Sequence, residues 1–313
     1  MTIEQLRIFV AVAERQHVTE AARALNMAQS AASHAIATLE ERHDTELFQR
    51  VGRRILLTQA GQALLDEARI ILAQVAHAEL TLSEFGKLER GALAVQASQT
   101  IAGYWLPRHL VALRRAHPGI DIRLAIGNTA QVAEAIESGS AELGFVEGAV
   151  VGASLVSAPV ARDQLVLVVN PDHPWADLPM LTTDDLLAGE WVMREPGSGT
   201  RSVFEQALSD VGGRPRDLDV RLELPSNEAV RAAVEAGLGA AALSASVAAP
   251  SLEAGLLRRV RFKLPEREFH ALQRKDRRLS RAAEALLSAV GKGGSKEGRR
   301  TAVGGVRSPV RMD

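Results

Sequence analysis

Short polar side chains alternate with small apolar ones between residues 29 and 39, in the segment QSAASHAIATL. Its apolar residues recur at i, i+3, i+4 and i+7, which predicts a helix with one packed face: Ala32, Ala35, Ile36 and Leu39. The other face carries the hydrogen-bonding side chains Gln29, Ser30, Ser33 and His34. Short amide, hydroxyl and imidazole groups can reach base edges in a major groove, so this spacing predicts hydrogen bonding to duplex DNA.

A second helical pattern precedes this segment at residues 18–25 and is joined to it by a short polar turn. Ala21, Ala22 and Ala24 with Leu25 would let the two helices pack closely, as in a helix-turn-helix. An Ala-rich helical hairpin buried in an all-α domain is the alternative interpretation, because Ala-rich segments are good helix formers in any setting.

Three arginines follow within five positions, at Arg50, Arg53 and Arg54, and Gly52 marks a turn among them. Short apolar segments at 47–48 and 55–57 flank this cluster, which predicts a basic β-hairpin. Such arginines can neutralise phosphates or enter a narrow minor groove. A basic hairpin beside the polar helix favours DNA binding over the buried-hairpin alternative.

Residues 6–65 resemble the winged helix-turn-helix domain of the LysR-type transcriptional regulators. The matching residues are Leu6, Phe9, Ala21, Ala22, Leu25, Gln29, Ser30, Ala31, Ala32, Ser33, Ile36, Leu39, Glu40, Leu47, Phe48, Arg50, Arg53, Leu57, Thr58, Gly61 and Leu65. His34 stands where many members have Arg, Gln or Lys. A neutral imidazole cannot make the bidentate guanine contact of an arginine, so the resemblance implies no particular operator sequence.

A long helical pattern follows the hairpin from Gln59 to Lys87. Its apolar residues repeat with spacings of four and three over about three heptads, which predicts a seam between two subunits: Leu64, Ala68, Ile71, Val75, Ala78, Leu82 and Phe85. The alternative is a helix packed on its own domain.

Strand and helix patterns then alternate over residues 91–290 and predict an α/β domain of parallel character. The predicted strands lie at 93–97, 120–126, 143–146, 165–169, 220–224 and 240–243, and the predicted helices at 100–117, 129–138, 200–211 and 227–236. The resemblance implies the overall fold class α plus α/β, with an effector domain of the type 2 periplasmic-binding-protein kind. The expected domains are a DNA-binding domain at 1–58, a linker and dimerisation helix with hinge at 59–90, and an effector domain at 91–290. Lobe one would comprise 91–161 and 266–290, and lobe two 162–265. Residues 291–313 are basic and nearly free of apolar periodicity, which predicts a disordered tail; a DNA-contacting arm is the alternative.

Four predicted strand-to-helix corners of this domain carry short hydroxyl or amide side chains. They supply the candidate ligand-binding residues Ser98, Gln99, Thr100, Asn128, Thr129, Gly197, Ser198, Gly199, Thr200, Arg201 and Ser226. Ligands of two-lobed α/β domains bind at such strand ends, and helix amino termini attract anions. Each corner would also serve as an ordinary helix cap. Their convergence favours a small polar site for an oxyanion.

The segments at 98–100, 127–129, 146–148 and 195–201 resemble the branch of the family that controls assimilation of sulfur oxyanions, with regulators of carbon fixation as near neighbours. This implies sulfite or a similar anion as effector, with a phosphorylated carbon metabolite as the alternative, and it adds Glu147 to the candidate site. Glu147 and Glu195 would oppose a fully charged anion in a dry cleft.

The composition excludes several other classes of function. Cysteine is absent, which excludes thiol chemistry and disulfides. The formal net charge is −1, so any DNA binding must rest on basic residues that are clustered locally. The scattered histidines predict no metal site, and no cofactor is expected. Gly-Ser-Gly at 197–199 lacks the spacing of a nucleophile elbow, which argues against an enzyme.

The partners expected are an operator duplex, a small anionic effector and a second copy through the linker helix, extending to a homotetramer, with RNA polymerase as a further candidate. The sequence has no run of 18 apolar residues and no export-type start, which predicts a cytoplasmic protein without membrane contact. A solute-binding protein of a transporter is the rival, but it would not need the first 60 residues.

Overall fold

The computed structural model describes residues 1–51, 54–84, 91–148, 150–262 and 264–297, and it describes only the backbone at positions 50, 51, 54, 76, 77, 79–84 and 292–297. The main division between its two compact units falls between Phe85 and Gly86. The described part of the chain contains no helix long and apolar enough to cross a membrane.

The amino-terminal unit consists of helices around a two-stranded hairpin. Its elements are α1 (Ile3–Arg15), α2 (Val18–Ala24), α3 (Gln29–His43), β1 (Phe48–Val51), β2 (Arg54–Leu57) and α4 (Gln59–Glu84). β1 and β2 pair antiparallel. The capping box of Thr2 and Gln5 at the start of α1 is present. The expected helix-turn-helix and hairpin therefore both occur.

The core of this unit is built by one face of each helix, through Leu6, Phe9, Val12, Ala21, Ala32, Leu39 and Ala68. One residue expected in a packed face is exposed instead, namely Ala24. It is the last residue of α2, whose buried face is formed by Ala21 and Ala22.

α4 has 26 residues and is about 39 Å long at ~1.5 Å per residue. Ala68 at the start of its heptad pattern is fully buried in its own unit, and Leu64 and Ile71 pack against the same core. The first part of the pattern thus serves the domain core, which was the alternative interpretation. Phe85 and the side chain of Leu82 lie outside the described part of the structure.

The carboxy-terminal unit is built on strands β3 (Gly91–Ser98), β4 (Ile120–Gly127), β5 (Leu143–Glu147), β6 (Leu155–Val169), β7 (Glu190–Arg194), β8 (Asp219–Leu224), β9 (Ala240–Ser244), β10 (Arg258–Val260) and β11 (Glu266–Arg274). They run in the order β4-β3-β5-β11-β6-β9-β7-β8, and β10 also pairs with β6. β3 is parallel to β4 and β5, and β7 to β8 and β9, while β6 and β11 run antiparallel to their neighbours. The sheet is mixed, and the expected parallel character holds within each lobe.

Helices cover this sheet: a π-helix at Ile101–Trp105, α5 (Pro107–Ala116), α6 (Thr129–Ser138), α7 (Thr183–Ala188), α8 (Gly199–Asp210), a 3₁₀ turn at Pro215–Asp217, α9 (Asn227–Glu235), α10 (Ala245–Glu253) and α11 (Arg281–Glu297). The expected helix at 100–117 is thus divided in two. α11 continues to Glu297, past residue 290 where the sequence predicted the effector domain to end. The remaining part of the predicted tail, 298–313, lies outside the described residues.

β6 is the strand that joins the two lobes. Its first part pairs with β11 up to Gln164, and its last five residues pair with β9 from Leu165 onward. The chain returns to lobe one at β11, where Glu266 pairs with Gln164. Separate cores form on the two sides, one around Trp105 and Phe145 and the other around Trp191.

Candidate functional site

The polar face of α3 is open to contact. Gln29, Ser30 and His34 are exposed and Ser33 is half-buried, while Ala32 on the other face is fully buried. Gln29 Nε2 donates to Ser33 Oγ at 3.2 Å, which orders the first turn of the helix. The unit thus presents a short helix face of hydrogen-bonding groups and no bulky side chain.

Glu40 fixes the hairpin to α3. Its Oε1 accepts from the backbone N–H groups of Leu47 at 2.8 Å and Phe48 at 3.1 Å. The residues that begin β1 are thereby tied to the last turns of the polar helix. Of the three predicted arginines, Arg53 and the side chains of Arg50 and Arg54 lie outside the described residues.

In the carboxy-terminal unit, the two residues that follow β3 contact the start of α9 in the other lobe. Gln99 donates from Nε2 to the Pro225 carbonyl oxygen at 2.6 Å and accepts from Asn227 N at 3.0 Å. Thr100 Oγ1 accepts from Asn227 Nδ2 at 3.0 Å, and both side chains are buried. The first N–H groups of a helix have no partner within the helix. At the start of α9, Gln99 accepts from one of them, and the Ser226 hydroxyl accepts from another, that of Ala229.

A second group of contacts surrounds Arg267 at the start of β11. Its Nε lies 2.7 Å from Asp163 Oδ2, and its Nη1 donates to Thr200 Oγ1 at 2.9 Å. Its Nη2 lies 2.6 Å from Asp163 Oδ2 and 4.0 Å from Glu147 Oε1, without the alignment of a hydrogen bond. Ser244 Oγ donates to the other Asp163 oxygen at 2.8 Å.

Glu147 lies close to Gly199, the first residue of α8, where the two lobes meet, and Gly197 precedes that helix by two residues. A side chain on Gly199 would place its Cβ 3.0 Å from the Glu147 backbone oxygen and closer still to Thr129 Oγ1. Gly197 has φ +86, a left-handed conformation that favours glycine, and its carbonyl accepts from Ala130 N at 3.3 Å. Both glycines are therefore required by the geometry of this seam.

Arg194 and Glu195 form a third pair beside the seam. Glu195 accepts from Arg194 Nε at 2.7 Å and from Asn128 Nδ2 of the opposite lobe at 3.3 Å. Burial raises the pKa of Glu195, but the hydrogen bonds and charge of Arg194 outweigh it and hold that pKa below its ordinary value. Arg194 Nη1 also donates to Asn227 Oδ1 at 2.6 Å.

Most predicted ligand-binding residues are thus brought to one seam between the lobes. Arg201 is engaged within lobe two, because its guanidinium contacts Glu205 at 2.7 Å, Glu223 at 2.5 Å and the Arg194 carbonyl. Ser98 and Ser198 are both buried, and among the described residues Ser98 Oγ has no hydrogen-bond partner.

The sequence analysis missed Arg267, Asp163 and Arg194. A signal for Arg267 exists in the alternation of β11, where exposed Glu266 and Glu268 flank it and buried Phe269 shares its face. Two-residue periodicity would therefore have predicted a buried arginine. No comparable pattern marks Asp163, because β6 changes sheet partners next to it.

Two family models match the chain. "Bacterial regulatory helix-turn-helix protein, lysR family" matches residues 3–62, and "LysR substrate binding domain" matches residues 86–294. Together they cover both units described above.

Similar proteins include the uncharacterized HTH-type transcriptional regulator YeiE of Escherichia coli strain K12, which is 33% identical over 289 residues, 92% of this chain and 96% of that protein. A probable RuBisCO transcriptional regulator of Cyanophora paradoxa is 35% identical over 259 residues, 82% of this chain and 80% of that protein. The solved CcmR regulatory domain of Synechocystis PCC6803, in complex with 2-PG, has TM-score 0.60 and 25% identity over 66% of this chain and 98% of that domain.

Proposed function

The chain belongs to the LysR family of transcriptional regulators, and we propose that α3 reads its operator while a small anion between the effector lobes modulates that binding. The chain is thus a DNA-binding regulator and not an enzyme. The observation that carries the second part is the group of buried hydroxyls and buried arginines where the lobes meet. An anion that contacted both lobes would bias the angle between them only by its differential affinity, ~1–3 kcal/mol in typical allostery.

For DNA contacts we propose the exposed polar face of α3, namely Gln29, Ser30, Ser33 and His34. Their exposure and the burial of the opposite face support this assignment. Arg50, Arg53 and Arg54 are proposed as phosphate or minor-groove contacts, and Glu40 as the residue that holds their hairpin beside α3. We also propose a dimer through α4, because a single helix-turn-helix domain offers few base contacts.

For the effector we propose a sulfur oxyanion such as sulfite, held by Ser98, Thr100, Ser198 and Thr200. Ser98 Oγ supports this site, because a buried hydroxyl without a partner lacks the hydrogen bond that burial normally requires. Arg267 Nη2 is a charged donor without an aligned acceptor in the same seam.

The charge of the seam argues for a singly charged ligand. Glu147, Asp163 and Glu195 carry three negative charges against the two positive charges of Arg194 and Arg267, a formal balance of −1. A dianion would meet net repulsion, whereas the O–H group of hydrogen sulfite can donate a hydrogen bond to a carboxylate oxygen. The hydroxyls and backbone amides supply donors without adding charge.

A phosphorylated carbon metabolite is the second candidate. It is favoured by the similarity to regulators of RuBisCO genes and to the CcmR domain whose structure contains 2-PG. Its phosphate would use the same hydroxyls, so the two candidates differ in the ligand and not in the site.

Calorimetric titration of the full chain with sulfite, sulfate, thiosulfate and 2-phosphoglycolate tests this proposal. Thr200→Val keeps the shape of the side chain and should weaken binding of the active anion about tenfold, since a hydrogen bond to a charged group contributes ~1.5–3 kcal/mol. Thr183→Val, in α7 of the same lobe, is the matched control and should bind like the parent. Absence of binding by all four anions, or unchanged affinity in Thr200→Val, would remove the proposed site.

A further inference from the structure

A cavity of about 430 Å³ opens between α6 and α8, on one flank of the seam between the lobes. Its apolar lining consists of Ala130, Ala133, Val150, Val203, Ala207 and Pro265. Ala133 and Val150 pack against the core of lobe one, and Val203 packs against the core of lobe two. An occupant of the cavity would therefore touch both lobes.

The charged groups of this cavity are all negative. The described lining includes the carboxylates of Glu147 and Asp210 and no lysine, arginine or histidine. The remaining polar side chains of the lining, Thr129, Ser202 and Gln206, are neutral, so the two carboxylates set the formal charge of the cavity and disfavour an anion there. The cavity shares Glu147 and the glycines at 197 and 199 with the predicted effector site, but none of the four hydroxyl residues proposed to hold the anion lines it.

Glu147 has hydrogen-bonding capacity to spare. Its side chain is only 3% exposed, it accepts one long hydrogen bond from Thr129 Oγ1 at 3.4 Å, and its oxygen stays 4.0 Å from Arg267. An ionised carboxylate can accept about four hydrogen bonds, and a buried one is costly to leave without close donors. A cationic donor placed in the cavity would supply what this carboxylate lacks.

We propose that the cavity is a second ligand site, which takes a small organic amine. The ammonium group would bind Glu147, and its apolar body would lie against the valine and alanine side chains. A volume of about 430 Å³ is within the range of small-molecule pockets, ~300–1,000 Å³. Because both lobes line it, the amine would bias the angle between them from a pocket that adjoins the proposed anion site.

The test compares three probes that share one ring and differ in charge: cyclohexylamine, cyclohexanol and cyclohexanecarboxylate. Each is titrated into the full chain by calorimetry, in a buffer without primary amines and without added oxyanion. Cyclohexylamine should bind at least tenfold more tightly than cyclohexanecarboxylate, because only the ammonium pairs with Glu147. Cyclohexanecarboxylate is itself an oxyanion, so its titration is repeated with Thr200→Val, which changes the proposed anion site and no lining residue of the cavity. Carboxylate binding that is lost in Thr200→Val belongs to the anion site and is left out of the comparison with the amine.

Two variants locate the binding. Glu147→Gln should weaken cyclohexylamine about tenfold or more, while Glu134→Gln, on α6 but outside the cavity, is the matched control and should have no effect. Ala133→Leu fills the cavity without touching the pair of Glu147 and Arg267, and it should weaken all probes that bind there. Equal binding of amine and carboxylate, or amine binding that survives both Glu147→Gln and Ala133→Leu, would overturn the proposal.

Discussion

Replacing Arg267 by methionine perturbs the buried charge cluster at the start of β11 most directly. Methionine keeps much of the apolar stem of arginine but removes both contacts to Asp163 and the bond to Thr200. Among the described residues, Asp163 would keep only the hydroxyl of Ser244 as a close side-chain donor. Removing one partner of a buried ion pair costs about 3–5 kcal/mol, because the other charge stays buried without compensation. We expect a loss of that size in the free energy of unfolding.

The double variant Arg267→Met with Asp163→Asn distinguishes a lost charge pair from lost packing. With both charges gone, the combined cost should fall below the sum of the single costs by about 0.5–3 kcal/mol, the range for directly contacting residues. Additive costs would mean that the two side chains act independently.

Urea unfolding followed by tryptophan fluorescence is the assay. Trp105, Trp175 and Trp191 are the three tryptophans of the chain and all lie in the effector unit, so the signal reports that unit. Arg162→Met is the control, because this arginine is 73% exposed and pairs only loosely with Glu266 and Glu268. It should change stability by less than ~0.5 kcal/mol. A loss below ~1 kcal/mol in Arg267→Met would contradict the expectation that Asp163 is costly to bury without its arginine partner.

Three further predictions concern the polar face of α3, the contact of Gly199 between the lobes, and the pH dependence of stability that Glu195 contributes. Ser33→Ala combined with His34→Ala should abolish discrimination between operator and competitor DNA in fluorescence anisotropy, while the thermal midpoint and oligomeric state stay unchanged. Gly199→Ala should lower the thermal midpoint and weaken anion binding in calorimetry, because its Cβ would lie 3.0 Å from a backbone oxygen of β5. The pKa of Glu195 is depressed, so the stability from its pair with Arg194 is present at neutral pH and lost as pH falls below the ordinary carboxyl range. Glu195→Gln should therefore lose less stability than the parent between pH 7 and pH 3 in urea unfolding, because the folded pKa of Glu195 lies below the ordinary value.

Local periodicity accounts for the parts of the fold that the sequence predicted well. α6 has the expected bounds of 129–138, and β3, β4, β5 and β9 lie within three residues of the expected strands. These elements carry continuous apolar runs or helical spacing over most of their length, so neighbouring residues suffice to identify them.

Most of β6 and all of β11, the two strands that connect the lobes, were not predicted, because distant residues determine which of their side chains are buried. Only the buried last five residues of β6 were expected as a strand, while the part that pairs with β11 alternates polar and half-buried residues. β11 combines charged and apolar residues for the same reason. Their partners lie about a hundred positions away in the chain, which a local pattern does not reveal.

The residues of the candidate site were likewise predicted only in part. Hydroxyl and amide residues at strand ends, such as Thr100 and Thr200, could be predicted because helix starts follow strands in a recognisable way. The buried charges were not predicted, because Arg267 and Asp163 become partners only through the pairing of β6 with β11.

The proposed function requires that α3 reads duplex DNA in a sequence-dependent way. Selection from a random duplex library, with the full chain at moderate ionic strength and in the presence and absence of sulfite, measures this property. We expect enrichment of two related half-sites whose centres are one helical turn or a multiple of it apart, and we expect the variant with Ser33→Ala and His34→Ala to lose this enrichment. A selected pool no different in sequence from the starting library, under both conditions, would contradict it.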